Sequence, residues 1–222
     1  MQNRSIRVNA SLILAGLCCV SPDALSGEVE NGVAVTTTSP VASLGKTLQP
    51  GIVSGTVETS IGRYRKNAVV YLKGMKEKVF PKQAKMDQKN LAFVPHVIVV
   101  PTGSSVSFSN SDKVNHDITS ADACKKLDID DFHPSMTRVV TFEKACEVNL
   151  LCDLHPEMSA YVVVVESNYF AVTGADGKFT IDSVPPGTYD VSVWSEKLKQ
   201  AKAVSVTVKS GQTSRIEIGM TK

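Results

Sequence analysis

The chain has 222 residues and carries 24 Lys and Arg side chains against 22 Asp and Glu, a formal net charge of +2. This near balance excludes a polycationic nucleic-acid binder, and a hydrophobic content of 42% argues against a disordered chain. Because domains commonly contain about 100–200 residues, the length predicts one large domain or two small ones.

The N-terminal segment, residues 1–26, has the pattern of a secretory signal peptide. Arginines precede an apolar run at residues 10–20, and small residues stand before a predicted cleavage site near Ser26. The apolar run is shorter than the ~20 residues of a spanning helix, so no membrane span is predicted. A lipoprotein signal fits less well, because the bulky Leu17 precedes Cys18. We therefore expect a periplasmic or secreted mature protein.

Removal of this segment leaves three cysteines, Cys124, Cys146 and Cys152. An odd number in an oxidising compartment means that one thiol is free or has another role, such as metal binding.

The rest of the chain has the pattern of an all-β protein. Residues 27–50 show neither helical nor strand periodicity and are rich in Thr, Ser, Val and Pro, which predicts a flexible tether. From residue 51 onward, short β-rich runs alternate with turn residues, and no stretch of 12 or more residues has a helical apolar stripe. This spacing predicts a sandwich or a barrel.

Turn signals follow one another in residues 168–222, where TGADGKFTIDSVPPGTYDVSVW resembles the carboxypeptidase regulatory-like domain, a small transthyretin-type β-sandwich. The first strands of that family have a pattern like GxV…NAxVYL, which occurs here about 100 residues earlier, in residues 55–72. The resemblance implies a split sandwich, residues 51–76 plus 168–222, with a second domain inserted at residues 77–167. The alternative is that residues 51–76 add edge strands to the middle domain.

The middle region ends with the run CDLHPEM, residues 152–158, between two predicted strands. A thiolate, an imidazole and a thioether thus come from one short loop, and His116 follows an upstream strand with a second imidazole. These are the ligand types of mononuclear blue-copper sites, where soft sulfur favours Cu(I).

Residues 77–167 resemble a cupredoxin. The loop CDLHPEM is similar to the short ligand loop of the amicyanin type, and FVPHVIVVPTGSSVSFSNSD resembles the strands before the first His of plastocyanin-like proteins. The combination with a regulatory-like sandwich is similar to proteins described as methylamine utilisation or plastocyanin-like. The resemblance implies a Greek-key β-sandwich with one copper ion held by His116, Cys152, His155 and Met158.

Two residues near these ligands have expected supporting roles. Many cupredoxins have Asn directly after the first His, where it helps to tie the two ligand loops together, whereas this chain has Asp117. An ionised carboxylate only accepts hydrogen bonds and adds negative charge, so we expect a lower reduction potential. Asn110 is the other expected neighbour of the ligands. Leu151 stands where an aromatic residue is frequent, which changes packing only slightly.

The resemblance assigns Cys152 to copper and leaves Cys124 and Cys146, for which we expect a disulfide. A closed loop of about 22 residues contributes on the order of 3 kcal/mol in the chain-entropy model.

Other candidate donors have structural interpretations. His96 is interpreted as a strand residue rather than a ligand, and Trp194 as packing within the C-terminal sandwich. His133 and Met136 belong to HPSM, which repeats the HPEM of the ligand loop. We interpret this run as loop structure, with a weak copper-acquisition site as the alternative.

The sequence predicts a binding protein rather than an enzyme. It has no G-x-S-x-G, P-loop or H-E-x-x-H motif, and four histidines are too few for a multicopper oxidase. The resemblance implies a periplasmic carrier of single electrons between redox partners. Copper binding or delivery without redox cycling, and a structural sandwich with a vestigial copper site, are the alternatives.

The ligand loop also suggests how a partner binds. The edge of His155 is the usual electron port in this family, and Leu154 and Pro156 are expected to form an apolar patch around it. Asp153 and Glu157 add negative charge, which favours a transient partner with a basic face.

Overall fold

The computed structural model describes residues 47–222, which form β-strands and one short 3-10 helix, Gly62–Arg65. The strands are β1 (Gly51–Glu58), β2 (Val69–Lys73), β3 (Gln83–Gln88), β4 (Phe93–Val94), β5 (Val97–Pro101), β6 (Ser104–Asn110), β7 (His116–Ser120), β8 (Leu127–Phe132), β9 (Thr137–Phe142), β10 (Cys146–Leu151), β11 (Ser159–Val165), β12 (Phe170–Val172), β13 (Lys178–Val184), β14 (Gly187–Trp194), β15 (Lys199–Gln200), β16 (Val204–Val208) and β17 (Thr213–Thr221). The predicted all-β class is confirmed.

The predicted signal peptide and most of the predicted tether lie outside the described residues. Within residues 47–222, no helix has the length and apolar character needed to cross a bilayer.

Strands from both ends of this region form one sandwich, here called the terminal sandwich. One sheet has the order β13-β1-β17-β15 and the other the order β12-β2-β14-β16. β1 pairs antiparallel with β13 and parallel with β17, so segments that are far apart in sequence lie side by side. The two sheets bury a shared core that includes Val53, Leu72, Phe179 and Ile218.

The buried Thr173 joins the two chain segments of the terminal sandwich. Its hydroxyl donates to the carbonyl of Arg65 at 2.6 Å and accepts from the backbone N–H of Ala68 at 2.8 Å. Because burial excludes water, loss of the hydroxyl leaves these backbone groups without a partner.

We expect Thr173→Val to lower the free energy of unfolding by about 1–3 kcal/mol, since valine keeps the shape and loses both hydrogen bonds. Urea denaturation measures this change. Thr188→Val, on the exposed face of the same sandwich, is the control and should change stability by less than about 0.5 kcal/mol. Equal stability of the two variants would contradict the prediction.

The strands from residue 83 to residue 165 form a second sandwich, here called the central sandwich. Its sheets have the orders β4-β3-β6-β9 and β5-β11-β10-β7-β8. Alternating side chains of both sheets point inward, and the core between them contains Phe108, Phe132, Phe142 and Leu150 with no more than 1% exposure.

A third apolar cluster joins the two sandwiches. Its buried members are Val69 from β2, Val97 from β5, and Val163 and Val165 from β11. The run of four valines at the end of β11 is therefore buried on both faces, with one face in the central core and the other against the terminal sandwich. Trp194 packs in this cluster, with its ring 5.0 Å from that of Tyr161, so it lies between the sandwiches and not in the core of the C-terminal sandwich, where it was expected.

Candidate metal centre

Two loops at one end of the central sandwich bring the predicted ligands together. Cys152 follows the last residue of β10, Met158 precedes the first residue of β11, and His116 is the first residue of β7. The intervening turn is closed by backbone hydrogen bonds from Met158 to the carbonyl of His155 at 2.9 Å, and from Cys152 to that of Met158 at 3.3 Å. β10 and β11 are adjacent antiparallel strands, so their pairing sets the ends of the loop.

Three donor atoms in these loops form a small triangle. The Nδ1 atoms of His116 and His155 lie 3.1 Å apart, and the Sγ atom of Cys152 lies 4.0 Å from the first and 3.7 Å from the second. A point equidistant from corners with these separations lies about 2.1 Å from each, close to the ~2.0–2.3 Å of metal–nitrogen and metal–sulfur bonds. The triangle therefore has the dimensions of a metal site with these three ligands.

Burial also favours a bound metal over a polar turn. His116 is fully buried, Cys152 is 3% exposed, and Met158 is 1% exposed, whereas His155 is only partly buried. A buried thiol and two facing imidazole nitrogens have few hydrogen-bonding partners of their own. A soft cation would satisfy all three, with the thioether of Met158 in the same loop as a fourth donor.

The ring of His116 is oriented by a carboxylate that the sequence analysis did not single out. Its Nε2 lies 2.9 Å from Oδ2 of Asp112, which directs Nδ1 toward Cys152 and His155. Because a carboxylate accepts, Nε2 carries the proton and Nδ1 presents its lone pair. Spacing offers one signal for this pair, since Asp112 and His116 are four residues apart in a short loop.

Asp112 is itself held by hydrogen bonds from a tight turn between β3 and β4. The backbone N–H groups of Asn90 and Leu91 donate to its two carboxylate oxygens at 2.6 and 3.0 Å. Both turn residues have a φ of 55°, as in a type I′ turn, which is unusual for leucine. Burial acts to raise the pKa of Asp112, but these N–H groups and His116 outweigh burial and hold that pKa below its usual value. Asp112 is therefore an anion that supports the ligand ring.

The two residues expected to support the ligands lie beside them. The side-chain amide of Asn110 donates to the carbonyls of Val114 and Phe132 at 2.9 and 2.7 Å, and its oxygen accepts from Asp112 N–H. These bonds shape the loop that carries His116.

Asp117 differs from the expectation in how it contacts the ligand loop. Its backbone N–H points at the Sγ atom of Cys152 at 3.4 Å, whereas its carboxylate accepts from the N–H of Asp131 at 3.2 Å. The connection between the loops is therefore made by the backbone, because the side chain turns toward β8. A backbone contact of this kind does not depend on the choice between Asp and Asn.

The remaining sulfur and histidine candidates lie elsewhere. Cys124 and Cys146 form the predicted disulfide, with a Cα–Cα distance of 6.6 Å. The exposed ring of His133 contacts Asn115 through Nδ1 at 3.1 Å, and the Sδ atom of Met136 accepts from the backbone N–H of His133. The HPSM run is thus a closed turn in which imidazole and thioether have separate partners.

We expect Asp112→Asn to weaken Cu(II) binding by about 10-fold or more and to raise the reduction potential of the copper-loaded protein. Asparagine oxygen in the place of Oδ2 still accepts from His116, whereas its NH2 group in the place of Oδ1 cannot accept from the Asn90 N–H. The change therefore removes the negative charge that favours Cu(II) and loosens the support of the His116 ring. Competitive Cu(II) titration and voltammetry measure the two effects. Asp87→Asn is the control, because the carboxylate of Asp87 accepts a hydrogen bond from the hydroxyl of Ser109 between β3 and β6. An unchanged potential in Asp112→Asn would contradict this role.

Comparisons with known proteins find similarity over parts of the chain. Residues 156–221 match the family model of the carboxypeptidase regulatory-like domain. This range includes β11, which in this chain pairs with β10 and β5 of the central sandwich. No curated protein matches the chain.

Solved structures with similarity to this chain include cupredoxins. A novel purple cupredoxin from Nitrosopumilus maritimus is 21% identical and has a TM-score of 0.33, with 37% of this chain and 99% of that chain covered. Amicyanin from Paracoccus versutus is 14% identical with a TM-score of 0.33, covering 43% and 97%. The copper-containing nitrite reductase from Thermus scotoductus SA-01 is 18% identical with a TM-score of 0.37, covering 50% of this chain and 28% of that chain.

Proposed function

We propose that this chain is a mononuclear blue-copper protein that carries single electrons between redox partners. The observation that supports it best is the triangle of Cys152 Sγ, His116 Nδ1 and His155 Nδ1, whose sides measure 3.1–4.0 Å. Two imidazoles and a thiolate in a trigonal arrangement, with a nearby thioether, are the donor set of electron-transfer copper sites.

Each proposed ligand has a distinct role. Cys152 binds as the thiolate, and its negative charge is stabilised by the Asp117 N–H. His116 and His155 would bind through Nδ1, and the thioether of Met158 would be the weaker fourth donor. Bound copper would supply a one-electron Cu(II)/Cu(I) couple.

The protein around the triangle supports rapid transfer by holding the ligands in place. His116 is fully buried and bonded to Asp112, while His155 and Met158 belong to a turn closed by backbone hydrogen bonds. Ligands that are held before the metal arrives leave little room for rearrangement between oxidation states.

The surface near His155 suits a brief encounter with another protein. Leu151, Leu154 and Val114 are 42%, 54% and 45% exposed and lie in or next to the loops that carry the ligands. His155 is partly exposed in the same loop as Leu154, so we propose its edge as the point of electron exchange. We propose that these side chains form a small apolar patch, which supports contact without the long residence time of a large interface.

Acidic side chains beside this patch favour a partner with a basic face. Asp128 and Asp130 on β8 lie next to β7, which carries His116, and Asp153 lies in the ligand loop. The neighbouring carboxylate of Asp128 raises the pKa of Asp130, as expected where several acidic groups crowd together. Such a field speeds encounter with a cationic surface and weakens with added salt.

The chain organisation is part of the proposal. We propose residues 77–167 as the copper domain, inserted into a regulatory-like sandwich of residues 51–76 and 168–222. A periplasmic or secreted location is supported by the disulfide between Cys124 and Cys146, a bond that persists in oxidising compartments.

The experiment that tests the function is Cu(II) titration of residues 27–222, followed by optical and EPR spectroscopy. We expect one equivalent of Cu(II) to give an intense thiolate-to-copper charge-transfer band with narrow hyperfine splitting, and reversible one-electron voltammetry. Tight binding without that band would favour copper delivery, and selective Zn²⁺ binding would favour a structural site. Either result would overturn the electron carrier.

A further inference from the structure

His96 forms a polar contact between the two sandwiches at the same end as the candidate metal centre. It lies between β4 and β5 of the central sandwich, with its Nδ1 atom 2.9 Å from the carbonyl oxygen of Ser159. Its Nε2 atom lies 3.0 Å from Oε2 of Glu196, which follows β14 of the terminal sandwich. One imidazole therefore bridges two segments 37 residues apart in sequence, Ser159 and Glu196.

Both partners of this imidazole are hydrogen-bond acceptors. An imidazole N–H can donate to either acceptor, so the ring links the carbonyl of β11 to the carboxylate after β14. Burial acts to raise the pKa of Glu196, but Lys197 and His96 outweigh burial and keep that pKa below its usual value. Lys197 Nζ lies 2.6 Å from the other carboxylate oxygen. The bridge is thus a charge-assisted chain of hydrogen bonds.

Ser159 is the residue that follows Met158, the proposed axial ligand. Before Ser159, the N–H and the carbonyl of Met158 are hydrogen-bonded within the ligand loop. The His96 ring holds the Ser159 carbonyl, and the His96 carbonyl accepts from the N–H of Tyr161 at 2.9 Å. The first residues of β11 are therefore hydrogen-bonded to both the backbone and the side chain of His96.

Aromatic packing restricts the same contact. The ring of Tyr161 meets the His96 ring edge-on, with centroids 5.8 Å apart, and stacks at a tilt against Trp194 at 5.0 Å. Trp194 is the last residue of β14, two residues before Glu196. The end of β14 thus approaches the beginning of β11 through one apolar contact and one polar contact.

We propose that Glu196 and His96 are positioning residues through which the terminal sandwich holds the backbone next to Met158, the residue that would supply the thioether ligand. This inference rests on the proposed function of the ligand loop as a copper site. It gives the terminal sandwich a role in setting the properties of that site.

The first test is hydrogen exchange in the metal-free protein. We expect Glu196→Ala to accelerate amide exchange in residues 158–161 by about tenfold, the effect of losing roughly one charge-assisted hydrogen bond. Glu58→Gln is the matched control, because Glu58 pairs with Arg65 at 3.0 Å within the same sandwich and lies outside the contact. Exchange at the control rate in Glu196→Ala overturns the inference, whether or not the protein binds copper.

The second test uses the copper-loaded protein. We expect Glu196→Ala and His96→Ala to shift the reduction potential and change the rhombicity of the EPR signal, which responds to axial-ligand geometry. His96→Asn keeps an N–H near the position of Nδ1, so it should restore part of the wild-type signal. Effects of the two alanine variants should be less than additive, because the residues act in one chain. Wild-type potential and rhombicity in both alanine variants overturn the inference.

Failure of the wild-type protein to bind copper, with accelerated exchange in Glu196→Ala, overturns the proposed function and leaves the backbone linkage standing.

Discussion

Replacement of Cys152 with serine is expected to abolish the intense visible band of the Cu(II)-loaded protein. That band requires a thiolate bound to copper, and a serine hydroxyl is a harder donor that stays protonated at neutral pH. Serine is close in size to cysteine, and its hydroxyl can accept from the Asp117 N–H that points at Sγ, so the fold should survive the change. Optical titration with Cu(II) measures the band, and thermal unfolding of the metal-free variant checks the fold.

His133→Ala provides the control for this experiment. His133 is an exposed imidazole that contacts Asn115, outside the triangle of donor atoms. Its removal should leave the band at full intensity and one equivalent of Cu(II) bound. A band that survives Cys152→Ser would exclude the proposed ligand, and a band lost in His133→Ala would revive a copper-acquisition role for the HPSM turn.

Removal of the disulfide by the double change Cys124→Ala and Cys146→Ala is expected to lower the free energy of unfolding by about 3 kcal/mol. The closed loop contains β8 and β9, which are edge strands of different sheets in the central sandwich. Each edge strand has a single neighbour in its sheet, and the crosslink ties the segment that precedes β8 to the start of β10. Denaturant titration of the metal-free protein measures the loss.

The double change should also affect the geometry of the candidate metal site, because β8 pairs with β7 and places Phe132 opposite His116. We expect Cu(II) affinity to fall in the double variant even though both ligand loops keep their sequence. Cys124→Ala alone, which leaves the thiol of Cys146 free, separates loss of the crosslink from loss of two sulfur atoms. A stability within about 0.5 kcal/mol of wild type would contradict the prediction.

Local sequence patterns were sufficient to predict the all-β class and to place three candidate donors in one loop. The donors Cys152, His155 and Met158 are separated by two residues each, so their proximity follows from one turn. His116 joins them because β7 lies next to β10 in the same sheet. The disulfide followed once Cys152 was assigned to the metal.

Contacts between distant segments could not be predicted in the same way. The Asn90 and Leu91 N–H groups reach Asp112 only because a tight turn between β3 and β4 meets the loop after β6. The bridge from His96 to Glu196 joins residues 100 positions apart. These geometries depend on how sheets pack, which no local pattern specifies.

One signal for the contact between sandwiches was nevertheless present in the sequence. Four consecutive valines at residues 162–165 break the alternation of apolar and polar residues that is expected of a strand with one solvent-exposed face. The structure explains them, because β11 is covered on both sides. The similar apolar run in β2 has the same cause, with Val70 in the terminal core and Val69 in the cluster between the sandwiches.

The parallel pairing of β1 with β17 has a consequence for the order of folding. Ile52 lies opposite Thr213, so more than 150 residues separate the first strand from this parallel partner, and its antiparallel partner β13 begins only at Lys178. Every strand of the central sandwich has emerged by Val165, well before that point. During synthesis the central sandwich can therefore close early, while β1 and β2 stay unpaired, with exposed edges that invite aggregation. The late closure of widely separated strands adds loop entropy to the final step, so the terminal sandwich should set the overall folding rate.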